Sequence, residues 1–259
     1  MDKIKTIISK EWAEVFKNRL VLLTVALLPI IFTILPLVVL YSTRGASADD
    51  MSELPAQFAA ICGGLTGGDC LQIYMMTQFL ILFMLMPLAI PATIAAYSIV
   101  GEKTARTLEP LLATPISTVE LLLAKALAAV IPAIVVTWGA FLVFAVGAWF
   151  MVSPAVFARL LGPVWLLAIF VAGPLMAVMA VNASVIVSSR VNDPRVAEQL
   201  SMVVIVPLLG LLFGQLSGLL ILNQAVVLIL VIALLVVDAG LTWLAVRLFE
   251  REAILTRWK

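Results

Sequence analysis

The stretch "GEKTARTLEPLLATPIS", Gly101 to Ser117, lies between two long apolar runs. It holds four charged residues, Glu102, Lys103, Arg106 and Glu109, and two prolines. Its end has a structural reason. Ser117-Thr118-Val119-Glu120 fits a capping box, in which Ser117 caps a helix and Glu120 reaches back. Pro115, just before the cap, stops any preceding helix. Upstream, Leu108, Leu111 and Leu112 share one face of a short helix, with Glu102, Arg106 and Glu109 around the rest. A membrane surface would explain the leucines. A protein partner would explain the leucines and the mixed charges together.

The apolar runs on either side fix the class. The chain has 259 residues, of which 64% are hydrophobic and 12% charged, and its mean hydropathy is +1.19. A soluble domain is about 45–50% apolar and about 25% charged. This is the composition of an integral membrane protein. A bilayer crossing takes about 20 mostly apolar residues. Six such spans are expected, at about 20–41, 71–100, 119–150, 160–188, 201–222 and 224–247, so the fold class is an all-α membrane domain over residues 1–259. The first 19 residues are charged throughout and lack a cleavable apolar core, so no signal peptide is expected. Ile4, Ile7, Ile8, Trp12, Val15 and Phe16 fall on one helical face, which predicts an amphipathic helix over 1–19 lying in the membrane interface.

Orientation follows from Lys and Arg. With the N-terminus inside, 14 of the 16 basic residues fall in inner segments or inner span ends, and only Arg44 and Arg159 fall outside. Both termini and the 101–117 loop are therefore expected in the cytoplasm. Trp149 and Trp165 are expected at the outer interface, Trp12, Trp243 and Trp258 at the inner one. Residues 43–70 form the outer loop, with Asp49, Asp50, Glu53 and Asp69 against Arg44. It reads as solvated, or as a mouth that gathers cations. Cys62 and Cys70 would face an oxidising side, where a disulfide can form; their spacing is not that of a metal or redox motif.

The chain contains no histidine. That removes bis-His haem, His-ligated zinc and a Ser-His-Asp triad. With one mid-membrane acid, there is no constellation for an intramembrane enzyme. The net charge of +1 gives no reason to expect a nucleic-acid partner. Nor is there a phosphate-binding Gly-rich loop: in "GEKT" no glycine run precedes the lysine.

Several polar residues fall inside the spans. Asp238 lies near the middle of the sixth, where a carboxylate costs about 2.5–3.5 kcal/mol on insertion scales. It could line a pathway, be protonated, or pair with Lys125: by helix rise the two lie roughly 14 Å and 9 Å from the inner edge. Asn182, Ser184, Gln78 and Thr93 could line a path, but hydrogen bonding between helices is the simpler role. Gln215, in "GQLSG", lies toward the outer end of the fifth span and could mark a break or gate.

The run "EKTARTLEPLLATPISTVELLLAK", Glu102 to Lys125, closely resembles the loop between the second and third spans of ABC-2 type exporter permeases. The similarity is strongest to the sodium-exporter (NatB-like) and multidrug subgroups. Glu102, Thr107, Leu108, Glu109, Leu111, Leu112, Thr114, Pro115, Ile116 and Ser117 match the pattern; Arg106 departs, standing where the family usually has Gly. The resemblance implies that the loop is a coupling helix docking on a separate ATPase. Glu102, Thr107, Leu108, Glu109, Leu111, Leu112, Pro115, Ile116 and Ser117 would be the docking residues. It also implies two ATPase subunits, a second permease subunit (a homodimer or a close paralogue) and a prokaryotic inner membrane. ATP and Mg would be bound by the partner ATPase, with no cofactor on this chain. The open alternatives are a passive channel or a membrane scaffold working with an ATPase and, behind them, an intramembrane enzyme.

Overall fold

In the computed structural model the described residues are 2–45, 62, 65, 67–104 and 117–248. Among them there is helix and no strand. Helix α1 is Asp2–Val15, α2 Arg19–Ser42, α3 Gly68–Thr104 and α4 Thr118–Trp149. Two short helices follow, α5 Pro154–Leu160 and α6 Pro163–Leu167, then a π turn over Ala168–Ala172 that runs into α7, Gly173–Ser188. Helix α8 (Pro194–Ser201) passes through a 3-10 turn into α9 (Val206–Leu216), and α10 is Gln224–Leu248. Six helical stretches are long and apolar enough to cross a membrane: Val21–Ser42, Gly68–Thr104, Val119–Trp149, Pro154–Ser188, Pro194–Leu216 and Gln224–Leu248.

Local chemistry sets many of these ends. Ser117 caps α4 in the capping box expected from the sequence: its hydroxyl accepts from Glu120 N–H at 3.1 Å, and Glu120 Oε2 accepts from Ser117 N–H at 2.8 Å. Ser153 caps α5 and Asp193 caps α8, each followed by a proline at the first helical position, where the missing N–H costs nothing. The Asp193 cap starts the fifth crossing at Pro194, earlier than the apolar run suggests. Gly218 ends it, with φ of +73°, a backbone conformation that costs glycine nothing. The chain then folds back so that Leu220 N–H bonds to Gly214 O at 3.0 Å. A Cβ on Gly214 would lie 2.7 Å from Leu220 Cδ1, so the Leu220 side chain packs directly over that glycine. "GQLSG" is thus a helix terminus.

The π turn has an equally local cause. Gly173 N–H bonds five residues back to Ala168 O. In that register Pro174, which lacks an N–H, leaves the Ile169 carbonyl without its backbone donor. The Trp138 indole takes it at 3.2 Å. A π turn beside a proline keeps the fourth crossing continuous by borrowing a donor from α4.

Helix α3 is the central post. Of its most apolar stretch 89% is buried inside the chain, against 17–50% for the other five crossings. It packs on α7, α4, α2 and α8. Phe83 of α3 meets Phe144 and Trp165 at centroid distances of 5.2 and 6.0 Å, and Trp165 stacks on Phe141 and Phe144 at 5.9 and 5.8 Å. Trp165 is therefore a core residue, 4% exposed, and not the interfacial anchor its position in the sequence suggests. The remaining helices turn Leu23, Val38, Leu142, Ile229, Ile232 and Val236 outward. Such surfaces are at home in lipid, where the solvent is as apolar as the side chain.

Candidate functional site

At the end of the bundle where α1 lies, three helices converge on a buried ionic cluster. Lys125, in the third turn of α4, places Nζ 2.7 Å from Glu11 Oε1 of α1 and 2.7 Å from Glu102 Oε2 of α3. The same ammonium donates to Ser98 Oγ at 3.0 Å, and Ser98 donates to Glu11 Oε2 at 2.5 Å. Lys10 closes the group, 2.5 Å from Glu102 Oε1 and 3.6 Å from Glu14. Glu11, Glu102 and Lys125 are 2%, 4% and 5% exposed. Two lysines balance the two buried carboxylates, with Glu14 on the exposed side of Lys10. Neutrality and hydrogen bonding are what make buried charge tolerable.

Burial alone would lower the pKa of Lys10. The hydrogen bond and charge of Glu102, with Glu11 and Glu14 behind them, outweigh it and hold the ammonium above its ordinary value. Around the cluster α1 lies on α4 through Ile7, Leu121 and Ala124, with Ile4 and Ile8 alongside. The Trp12 indole donates to Ala128 O at 2.9 Å. The amphipathic helix is thereby fastened to the bundle by an apolar seam, one indole bond and a buried ionic knot.

The position of the knot matters. Glu102 stands two residues before the end of α3, and Ser117 opens α4. Both ends of the connecting segment 105–116 are thus fixed, one by Lys10 and Lys125, the other by the capping box. Next to Glu102, Lys103 Nζ lies 3.4 Å from Ser189 O and 3.3 Å from Val191 O, which ties α3 to the turn between α7 and α8. Of the docking residues expected from the sequence, Glu102 and Ser117 take part in this arrangement. Thr107, Leu108, Glu109, Leu111, Leu112, Pro115 and Ile116 lie outside the described residues.

Lys125 does not pair with Asp238. Depth along the helices had made that pair reachable, but not direction around them: Lys125 faces α1 and the end of α3, whereas α10 packs mainly on α7. Asp238 shares the buried stripe of α10 with Val227, Leu234 and Ala245. Both its carboxylate oxygens are without a hydrogen-bond partner among the described residues. One turn further on, Thr242 Oγ1 accepts from Asn182 Nδ2 at 2.9 Å, joining α10 to α7. Ser184 donates to Ala92 O at 3.2 Å, and Thr93 donates to Glu198 Oε1 at 2.6 Å. These three bonds join helices. Gln78 and Gln215 are buried with both amide atoms unpartnered among the described residues. At the opposite end of the bundle Cys62 and Cys70 are joined, with Cα atoms 5.0 Å apart.

The sequence reading passed over Glu11 and Ser98. The signal for Glu11 was present: it stands midway between Ile7 and Val15 at helical spacing, an acid on the apolar face of α1. Such a residue requires a cation from whatever covers that face. Ser98 lies one turn before Glu102 on α3, a relation that gains meaning only once Lys125 is known to reach both.

Six apolar crossings, five of them around the buried central helix α3, define a multi-pass membrane protein. Among the described residues no group of three or more metal-binding side chains occurs. The profile of the family described as "ABC-2 family transporter protein" matches residues 5–236. The chain belongs to that family, and is a membrane permease component of an ABC transporter. No curated protein matches it.

Proposed function

We propose that the chain is the membrane-spanning half of an ABC exporter, working as a pair of such subunits above two ATPase subunits in a prokaryotic inner membrane. The α1 end faces the cytoplasm, and segment 105–116 is the element the ATPase grips. ATP and Mg are bound by the ATPase, and this chain turns their closure into movement of its helices.

The observation that carries this reading is the knot of Glu102, Lys125, Glu11 and Lys10. A displacement of segment 105–116 cannot be absorbed by slack at its ends. It passes to α3 through Glu102 and to α4 through the Ser117 cap. The knot passes it on to α1, and Lys103 to the α7–α8 turn. Because α3 is the most buried crossing, a tilt of it reaches α2, α4, α7 and α8 together.

Co-purification of a co-expressed ATPase tests the docking. The double substitution Glu109→Arg with Leu112→Asp should abolish retention of the ATPase while the permease still elutes as folded protein. Unchanged retention would sink the docking claim. A complex that forms and hydrolyses ATP without moving solute in vesicles would point to a scaffold role instead.

A further inference from the structure

A cavity of about 430 Å³ opens at the disulfide end of the bundle, away from the ionic knot. Ile73, Met76 and Thr77 of α3 line it, with Arg159 of α5, Val164 and Trp165 of α6, and the Ile221–Gln224 link into α10. Its volume is that of a small-molecule site. One wall is apolar and rigid, because the Trp165 ring is held by Phe83, Phe141 and Phe144 behind it. The rim is polar and cationic. Arg159 is exposed and makes no ion pair among the described residues, and no acid is among the lining residues.

The donors at this rim suit an oxyanion. Arg159 offers a planar fork suited to an oxyanion. The Asn223 carbonyl oxygen accepts from Val226 N–H at 2.9 Å as the cap of α10, which leaves its NH₂ group to donate. Gln224, exposed beside it, adds a second amide. Thr77 spends its hydroxyl proton on Ile73 O at 2.7 Å and can only accept. A phosphate, with more oxygens and more charge, uses such a rim more fully. A polar anionic rim-binder above an apolar slot is an amphiphile.

We propose that this cavity binds a net-anionic, phosphate-bearing amphiphile, its phosphate on the Arg159 guanidinium and its chain against Ile73, Met76, Val164 and Trp165. The occupant can enter as a phospholipid from the adjoining leaflet or as an alkyl phosphate from the water on that side. The site goes beyond the exporter reading and does not depend on it, since binding here involves neither the ATPase nor segment 105–116.

Binding is tested on the full-length protein in dodecyl maltoside. Native mass spectrometry would compare retention of added phosphatidylglycerol and phosphatidylcholine, and calorimetric titration would follow decyl phosphate below its micellar concentration. Wild type should favour phosphatidylglycerol, and Arg159→Gln should weaken that binding about tenfold, the scale of a charge-assisted hydrogen bond. Arg44→Gln, at another cation of the same end, should leave it unchanged. Val164→Trp, which keeps the arginine and fills the slot, should weaken both probes in a protein that elutes as wild type. Binding of the lipid alone assigns the bilayer as source, and binding of decyl phosphate also admits solution. No preference for phosphatidylglycerol and no decyl phosphate binding in wild type, or Arg159→Gln binding as tightly as wild type, overturns the proposal.

Discussion

Glu102, near the end of α3, and Lys125, in the third turn of α4, meet at 2.7 Å across the two ends of the 105–116 connection. The ammonium also balances Glu11, so its loss would strand a buried carboxylate on α1. Removing one partner of a buried ion pair costs about 3–5 kcal/mol, because the other charge stays behind. Lys125→Met should therefore lower the melting temperature of the detergent-solubilised protein strongly. Adding Glu11→Gln restores charge balance, leaving Lys10 with Glu102, and should recover much of the loss. Strictly additive effects in this cycle would show that the two residues are not coupled.

Lys10 makes the knot sensitive to alkaline pH. Its folded pKa is raised above the ordinary 10.5 by the carboxylates around it, Glu102 foremost, against the opposing effect of burial. A raised pKa on a cation stabilises the folded state fully below the unfolded value, and that stabilisation fades as pH climbs through the folded value. The difference in melting temperature between wild type and Lys10→Met should be constant from pH 7 to 9 and shrink above about 10.5. A difference that grows with alkaline pH would contradict the ion pairing.

Asp238 presents the opposite case, a buried acid with no partner among the described residues. Its carboxylate contributes no bond that an amide would lose. Asp238→Asn should leave thermal stability unchanged or raise it, within the roughly 2.5–3.5 kcal/mol that a mid-membrane acid costs on insertion scales. The Asn182–Thr242 bond one turn away should survive in this variant. A fall in melting temperature would reveal a partner for the carboxylate.

Much of the fold was legible because lipid imposes simple demands. Twenty apolar residues make a crossing, and "STVE" and Asp193-Pro194 announce helix starts in local terms. What escaped was direction around each helix. Depth along an axis follows from counting residues, so Lys125 and Asp238 could be placed at compatible heights. Which face of α4 turns toward α1 depends on packing across elements far apart in the chain. Lys125 consequently met Glu11, 114 residues away, and not Asp238. Trp165 escaped for the same reason: an aromatic close to a predicted span end reads as an anchor, and only the ring cluster around it shows a core residue. The family pattern of segment 105–116 was readable where helical periodicity alone left its partner open.

Sidedness can be tested with the cysteines, because the chain has only two. Both lie at the end of the bundle opposite α1, joined as Cys62–Cys70. With α1 in the cytoplasm, a membrane-impermeant maleimide should label neither residue in untreated intact cells. After reduction by an impermeant phosphine in the intact cells, both should be labelled once the washed protein is denatured, because the two side chains are buried in the fold. The expectation of this orientation rests on lysine and arginine, since the reverse would place 14 of 16 basic residues on the wrong side. The pair also encloses a short loop, and short-loop disulfides contribute on the order of 2–4 kcal/mol, so reduction should lower the melting temperature as labelling appears. Reduction that requires cell lysis would place the disulfide end in the cytoplasm. It would also move segment 105–116 out of reach of an ATPase, which makes this the cheapest single test of the proposed function.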